Sequence, residues 1–259
     1  AEVLKYAADL RAITSGRGEF HLELAHYEEL PAHLAEKVIK EVVLATRNKD
    51  KGREIAALMA GLGVTIRTLA EFPDAPDVVE DGETCEANAV KKAREVAAFT
   101  GLTAIADDTG LMVDALGGRP GVYAARYAGD GASYEDNWKK LLRELEGVPK
   151  SKRTARFVTV AAIADPHAKQ AKVVEGVLDG VIALEPRGDR GFGYDPVFLL
   201  PERDQTLAEM TAEEKNTLSH RARAFARIRD LLSQLSCDRD ELSREGDSAV
   251  HRSSSTVHR

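Results

Sequence analysis

The stretches "ARFVTVAAIAD" (155–165) and "AKVVEGVLDGVIAL" (171–184) decide the fold. Both are long, apolar and rich in β-branched residues, which suits a pleated sheet. Gly176 and Gly180 fall inside the second stretch, where each would weaken a helix by about 1 kcal/mol relative to alanine. The two stretches therefore read as paired long strands. Upstream, "EVVLAT" (41–46) is a short apolar strand. In "NKDKGREIAALMAGLG" (48–63), Ile55, Leu58, Met59 and Leu62 recur at helical spacing, with Gly61 and Gly63 as stops. "VTIRTL" (64–69) is a second strand, and "CEANAVKKAREVAAFTG" (85–101) puts Ala89, Ala93, Val96 and Ala97 on one helical face before Gly101. "TAIA" (103–106) and "LMVDAL" (111–116) read as strands around an aspartate pair, and "TLSHRARAFARIRDLLSQL" (217–235) as a closing helix. Strands alternating with helices over 41–235 predict an α/β domain with a mixed sheet.

The flanks differ from this centre. Residues 1–40 read as helix, turn, half-buried strand and helix, a piece at the lower limit for folding alone. Residues 236–259 are polar, serine-rich and free of aromatics, the composition of a disordered tail. The chain carries a net charge of −7, which argues against a nucleic-acid or anionic-membrane surface. No apolar run reaches membrane-spanning length and no signal-peptide layout opens the chain. The only cysteines, Cys85 and Cys237, lie far apart without metal-like spacing, which fits a reducing cytoplasm.

Four clusters carry polar chemistry. The first strand runs into Thr46-Arg47-Asn48-Lys49-Asp50-Lys51 and then a helix, whose N-terminus offers N–H groups to a phosphate. Glycine spacing there does not match a P-loop. Glu80, Asp81 and Glu83 fall in the turn "VVEDGET" (78–84), and Asp107 and Asp108 sit side by side at an apparent strand end. A divalent cation, a shared proton or solvent could each offset that repulsion, and an ordinary acidic turn is the plainer alternative. "GDRGFGYDPVF" (188–198) surrounds Phe192 and Tyr194 with glycines, as a ligand-stacking loop or a tight hairpin. "EEKNTLSHRARA" (213–224) brings Lys215, His220 and Arg221 to a helix start with Ser219 as N-cap, or else forms a surface charge cluster.

Five motifs then occur in order: "TRNKDK", "EDGET…AN", "ADDTGL.VDALGG.PGVY.ARY", "GFGYDPVF" and "TAEEKN..SHR". Together they resemble the inosine triphosphate pyrophosphatase family, which removes non-standard purine nucleoside triphosphates such as dITP, ITP and XTP. The resemblance implies an elongated mixed sheet with flanking helices, two lobes around a nucleotide cleft, and a homodimer. It implies that residues 46–51 form the phosphate end, with Thr46, Asn48 and Lys51 on the triphosphate. Glu80 and Asp108 would bind Mg²⁺, with Asp108 also taking the proton from water and Thr109 touching substrate. Phe192, Gly193, Tyr194 and Asp195 would line the base pocket, and Lys215, His220 and Arg221 would complete it. Arg221 and His220 would donate to the 6-keto oxygen of hypoxanthine or xanthine. Thr84-Cys85 departs from the family pattern, which has an aromatic before the Asn, and Ala87 stands where some relatives carry glutamate. Residues 1–40 separately resemble the C-terminal end of elongation factor G, without any GTP-binding motif. The alternatives to an enzyme are a nucleotide-binding module without turnover and a translation-related protein acting through residues 1–40.

Overall fold

A computed structural model describes residues 40–233, so the readings made for the opening segment and the tail lie outside the described residues. The chain forms β1 (Lys40–Leu44), α1 (Lys49–Leu58), β2 (Val64–Thr68), α2 (Cys85–Thr100), β3 (Thr103–Val113) and β4 (Pro120–Gly121). It continues through α3 (Tyr134–Glu144), β5 (Thr154–Ala164), β6 (Lys172–Ile182), β7 (Phe198–Leu200), β8 (Gln205–Thr206) and α4 (Ala212–Leu218). A last helix, α5, occupies 220–233. The strands make one sheet in the order β2-β1-β3-β5-β6-β7-β8, with β4 beside β3. β1 lies parallel to β2 and β3, whereas the β3–β5 and β5–β6 pairs are antiparallel, so the expected mixed α/β sheet is present.

Local signals explain several boundaries. Asn48 caps α1, Gly101 ends α2 in the left-handed region, and Gly61 and Gly63 take positive φ after α1. The helix itself stops at Leu58, with Met59 as C-cap and Leu62 beyond it. The two long strands pair from Thr154↔Val181 to Ile163↔Lys172.

Two expectations need correction. Residues 103–113 form one strand of 11 residues, not two, so Asp107 and Asp108 lie mid-strand and not at a strand end. The expected closing helix begins at 220, because Ser219 is extended (φ −64°, ψ 159°) and separates it from α4. Ser219 still caps the last helix, its Oγ accepting from Ala222 N at 3.1 Å.

The core falls into three clusters. Val43, Ala45, Ala104 and Ala106 face α2 through Ala89, Ala93, Val96 and Ala97 on one side of the sheet. Val42, Leu44 and Ile105 face Ile55 of α1 and Phe225 and Ile228 of α5 on the other. Phe157, Leu178, Ile182 and Phe198 build the third, toward β6 and β7. Among the described residues no helix is long and apolar enough to cross a membrane.

β3 pairs with β1 as far as Ile105, where β1 ends, and that edge of β3 then stays open until β4 joins at Leu111 and Met112. A cleft opens there, at the carboxyl end of a parallel strand, the usual place for a ligand in an α/β sheet.

The strand glycines serve close approach. A Cβ on Gly176 would press into the backbone of His220 and of Ala224 in α5. A Cβ on Gly180 would meet the Phe198 ring at 2.6 Å. Gly176→Ala should therefore cost about 1–3 kcal/mol of stability through overpacking. Urea unfolding at constant pH measures it, and an unchanged midpoint would contradict this packing.

Candidate active site

The cleft holds a cavity of about 290 Å³. Its walls come from the β1–α1 junction, the 76–80 loop, α2, β3, α3, the 192–195 loop and the start of α5.

Strand alternation separates the two aspartates. Successive side chains of a strand point to opposite faces, so Asp107 turns to the α1–α5 side and Asp108 to the α2 side. Asp107 Oδ2 accepts from Arg221 Nε and Nη2, both at 3.2 Å, and faces Lys51 Nζ at 3.4 Å. Burial opposes ionisation of Asp107, but Lys51, Arg221 and Lys92 outweigh it and hold the carboxyl well below the usual range. Asp108 Oδ2 accepts from Asn88 Nδ2 at 3.1 Å, and its Oδ1 lies 3.9 Å from Lys92 Nζ. Burial raises the Asp108 pKa, and Glu80 adds to that against the pull of Lys51 and Lys92. The neighbours thus differ in environment and in proton affinity.

Lys92 organises the α2 side. Its ammonium donates to Glu80 Oε1 at 2.5 Å and to the Asp107 carbonyl at 2.6 Å, on the β3 edge that β1 leaves open. Although burial works against its charge, Asp107, Asp108 and Glu80 raise its pKa. Asn88 also accepts from Gly82 N at 2.8 Å, and Arg126 donates to the Glu80 carbonyl at 3.0 Å, so the acidic turn is held at both ends.

At the phosphate end the expected backbone seat is already taken. Asn48 Oδ1 accepts from Asp50 N at 2.9 Å and Lys51 N at 3.1 Å, and Thr46 Oγ1 accepts from Asn48 N at 3.2 Å. Side chains therefore make this wall: Thr46, Asn48 and Lys51 line the cavity, with Arg47 held to Ala75 O and Asp77. Lys49 and Asp50 do not line it. Lys49 is exposed, and Asp50 pairs with Arg53 at 2.5 Å.

The opposite wall brings together Thr109, Phe192, Gly193, Tyr194, Asp195, Lys215, His220 and Arg221 as expected. Their tasks differ. Thr109 Oγ1 shares a hydrogen bond of 2.7 Å with Thr159 across the β3–β5 pair. Tyr194 spends its hydroxyl on Ala124 O at 2.8 Å. Asp195 Oδ2 accepts from Phe192 N at 2.8 Å and Lys215 Nζ at 2.5 Å, so it positions the loop and the lysine. Lys215 also meets Glu54 at 2.6 Å, and these two carboxylates keep it charged despite burial. Arg221 gives Nη1 to Glu54 at 2.5 Å, which leaves few of its N–H groups for a ligand. The Phe192 ring lies over both cations, 4.9 Å from Lys215 and 5.5 Å from Arg221.

Sequence reasoning missed Glu54, Asn88, Lys92 and Tyr134. Lys92 and Asn88 left a trace, since they interrupt the otherwise apolar face of α2. Glu54 left none, because its partners lie more than 150 residues away. Cys85 is buried at the start of α2, and burial pushes its thiol up to about 12, which makes it inert.

Fold and cleft together define an α/β protein with a site for a polyanion: Arg47, Lys51, Lys92, Lys215 and Arg221 surround a cavity that Asp108 also lines. Residues 42–231 match the Ham1 family. A dITP/XTP pyrophosphatase of Geobacillus kaustophilus (strain HTA426) is 55% identical over 190 residues, 73% of this chain and 93% of that protein. One of Geobacter sulfurreducens is 54% identical over 191 residues, 74% of this chain and 96% of that protein. A HAM1 protein from Coxiella burnetii shares the structure with a TM-score of 0.69 at 40% identity, over 76% of this chain and 100% of that one. A nucleoside-triphosphatase / dITP/XTP pyrophosphatase from Mycobacterium abscessus gives 0.59 at 41%, over 73% and 98%. The chain belongs to the Ham1 family, and the resemblance drawn from the five motifs holds.

His220 supplies a pH test. It is buried, stacks on Phe157 at 4.4 Å, and its Nδ1 has no hydrogen-bond partner among the described residues. Burial, then Arg221 and Lys215, push its pKa well below the ordinary value, so it stays neutral in the folded chain. The unfolded chain takes up a proton below about pH 6.5 that the folded chain refuses. Stability is therefore full above that value and falls as the pH drops through it. Melting temperatures between about pH 7.5 and 5.5 should decline, and the decline should be shallower in His220→Gln. Equal slopes in the two proteins would show that His220 does not contribute.

Proposed function

We propose that this chain hydrolyses the non-standard purine nucleoside triphosphates dITP, ITP and XTP to the monophosphate and pyrophosphate, clearing them from the nucleotide pool. The observation that carries this reading is Asp108, a cavity-facing carboxylate with raised proton affinity beside Lys51 and Lys92. A general base works best when its pKa approaches the working pH, and raising it moves Asp108 in that direction. Asp107 is unsuited to the task, because Arg221 and Lys51 hold it ionised and its side chain is buried.

Thr46, Asn48, Lys51 and Lys92 receive the triphosphate, where fixed positive charge stabilises oxygens that gain charge as the bond breaks. Asp108 takes the proton of the attacking water. Phe192 covers the base, and neutral His220 donates its single N–H to the 6-keto oxygen. Adenine presents an amino group at that place, which would leave the donor unpaired. With Arg221 committed to Asp107, Thr109 and Glu54, most of this discrimination falls to His220.

Glu80 and Asp108 fit Mg²⁺: both are oxygen donors, and one Lys92 ammonium reaches both. Among the described residues no group of three or more metal-ligating side chains forms a closed cage. Magnesium needs only one or two carboxylates and takes the rest from water and phosphates, so the Glu80 and Asp108 pair is enough for it. Bound there, it would supply charge stabilisation to the phosphate oxygens. A homodimer and a cytoplasmic location belong to the same proposal, and sedimentation and cell fractionation test them.

Pyrophosphate release should be fast from dITP and XTP, slow from dATP and dGTP, and lost with chelator. Asp108→Asn should lower kcat by about 10²–10⁴ while leaving the circular dichroism spectrum unchanged. Wild-type turnover in that variant would remove Asp108 from the mechanism, and binding of dITP without turnover in the unaltered protein would sink the enzyme reading.

A further inference from the structure

Tyr134 is absent from every motif read from the sequence, yet it touches both ends of the cleft. It is the first residue of α3 and 39% exposed. Its hydroxyl accepts from Asn48 Nδ2 at 2.9 Å and donates to Asp50 Oδ2 at 3.3 Å. Asn48 Oδ1 in turn accepts from Asp50 N, so amide, phenol and carboxylate close a small ring of hydrogen bonds around the N-terminus of α1. The Tyr134 ring also packs against Phe192, with centroids 5.8 Å apart and planes tilted by 42°. Asp195 holds the Phe192 backbone and Lys215 and Arg221 lie beneath its ring, and Tyr134 adds a lateral contact.

Nothing in the local fold requires a tyrosine at this position. The α3 N-terminus is capped by Ser133 and Asp136, which do not use the Tyr134 side chain. Asn48 is fixed by its cap on one side, leaving its amide nitrogen aimed across the cleft. A phenol there is long enough to reach that nitrogen and apolar enough to back an aromatic ring.

We propose that Tyr134 is a positioning residue that clasps the cleft, its hydroxyl orienting the Asn48 amide for the triphosphate and its ring buttressing Phe192 against the base. The assignment rests on the pyrophosphatase reading for the identity of the two ends, but its test does not require turnover. Removing the hydroxyl loosens one end. Removing the whole ring loosens both.

Calorimetry on the full chain can separate the ends, with tripolyphosphate as probe for one and deoxyinosine for the other. Tyr134→Phe should weaken tripolyphosphate several-fold and leave deoxyinosine within twofold of the unaltered protein. Tyr134→Leu should weaken both several-fold. In steady-state assays Tyr134→Phe should raise the KM for dITP more than it lowers kcat. Tyr134→Leu that binds both probes as tightly as the unaltered protein overturns the proposal, as does Tyr134→Phe that loses both equally. Failure of the unaltered protein to bind tripolyphosphate overturns it too. An unaltered protein that binds both probes but does not turn over dITP overturns the pyrophosphatase reading and leaves the clasp supported if the variants behave as stated.

Discussion

Burying an ionised carboxylate costs several kcal/mol unless cations and donors replace the lost water. Asp107 is 1% exposed, and the site is organised around meeting that cost. Arg221 reaches it from α5 and Lys51 from α1, so seating one side chain fixes how both helices lie on β3. The compensation continues outward, because each cation brought in is itself buried. Arg221 needs Glu54, Glu54 also takes Lys215, and Lys215 takes Asp195, whose other bond holds Phe192. Charges alternate along this row from the phosphate end of the cleft to the aromatic loop.

Such a row should hold the cavity in shape before anything binds. Each member has partners on two sides, so moving one leaves a neighbour buried and unpaired, which is dearer than the lost pair itself. Lys92 makes a second, shorter arrangement on the other face of β3, joining Glu80, the Asp107 carbonyl and Asp108. The two arrangements meet at the aspartate pair, and the sheet keeps them apart. Repulsion between adjacent carboxylates is small here because they face different helices and different cations.

Features set by nearby residues were legible in the sequence, and those set by distant partners were not. Gly176 and Gly180 marked β6 as a strand because glycine is poor in a helix, and the structure adds that a helix and an aromatic ring close on them. Gly101 announced the end of α2 through its own conformational preference, and Ser219 the start of α5 through its hydroxyl. β3 was misread as two strands because buried acids amid apolar residues look like a polar turn when their partners are unseen. The cations that permit them arrive from positions 51, 92 and 221, with no periodicity to connect them. Lys92 was within reach, since a lysine between Ala89 and Ala93 on the buried face of α2 demands a carboxylate. Glu54 was not, because a glutamate on an amphipathic helix reads as a solvated surface residue.

The split between Asp107 and Asp108 also limits how this chain can diverge. In a strand, inserting or deleting a single residue turns every later side chain to the opposite face. One residue gained between Ile105 and Asp107 would hand the buried, cation-bound place to a different side chain and point the first aspartate at α2. Loops such as 165–171, between β5 and β6, have no such parity to keep. Length variation among relatives should therefore collect in those loops, while the spacing from Ile105 to Thr109 stays constant even where the residues themselves change.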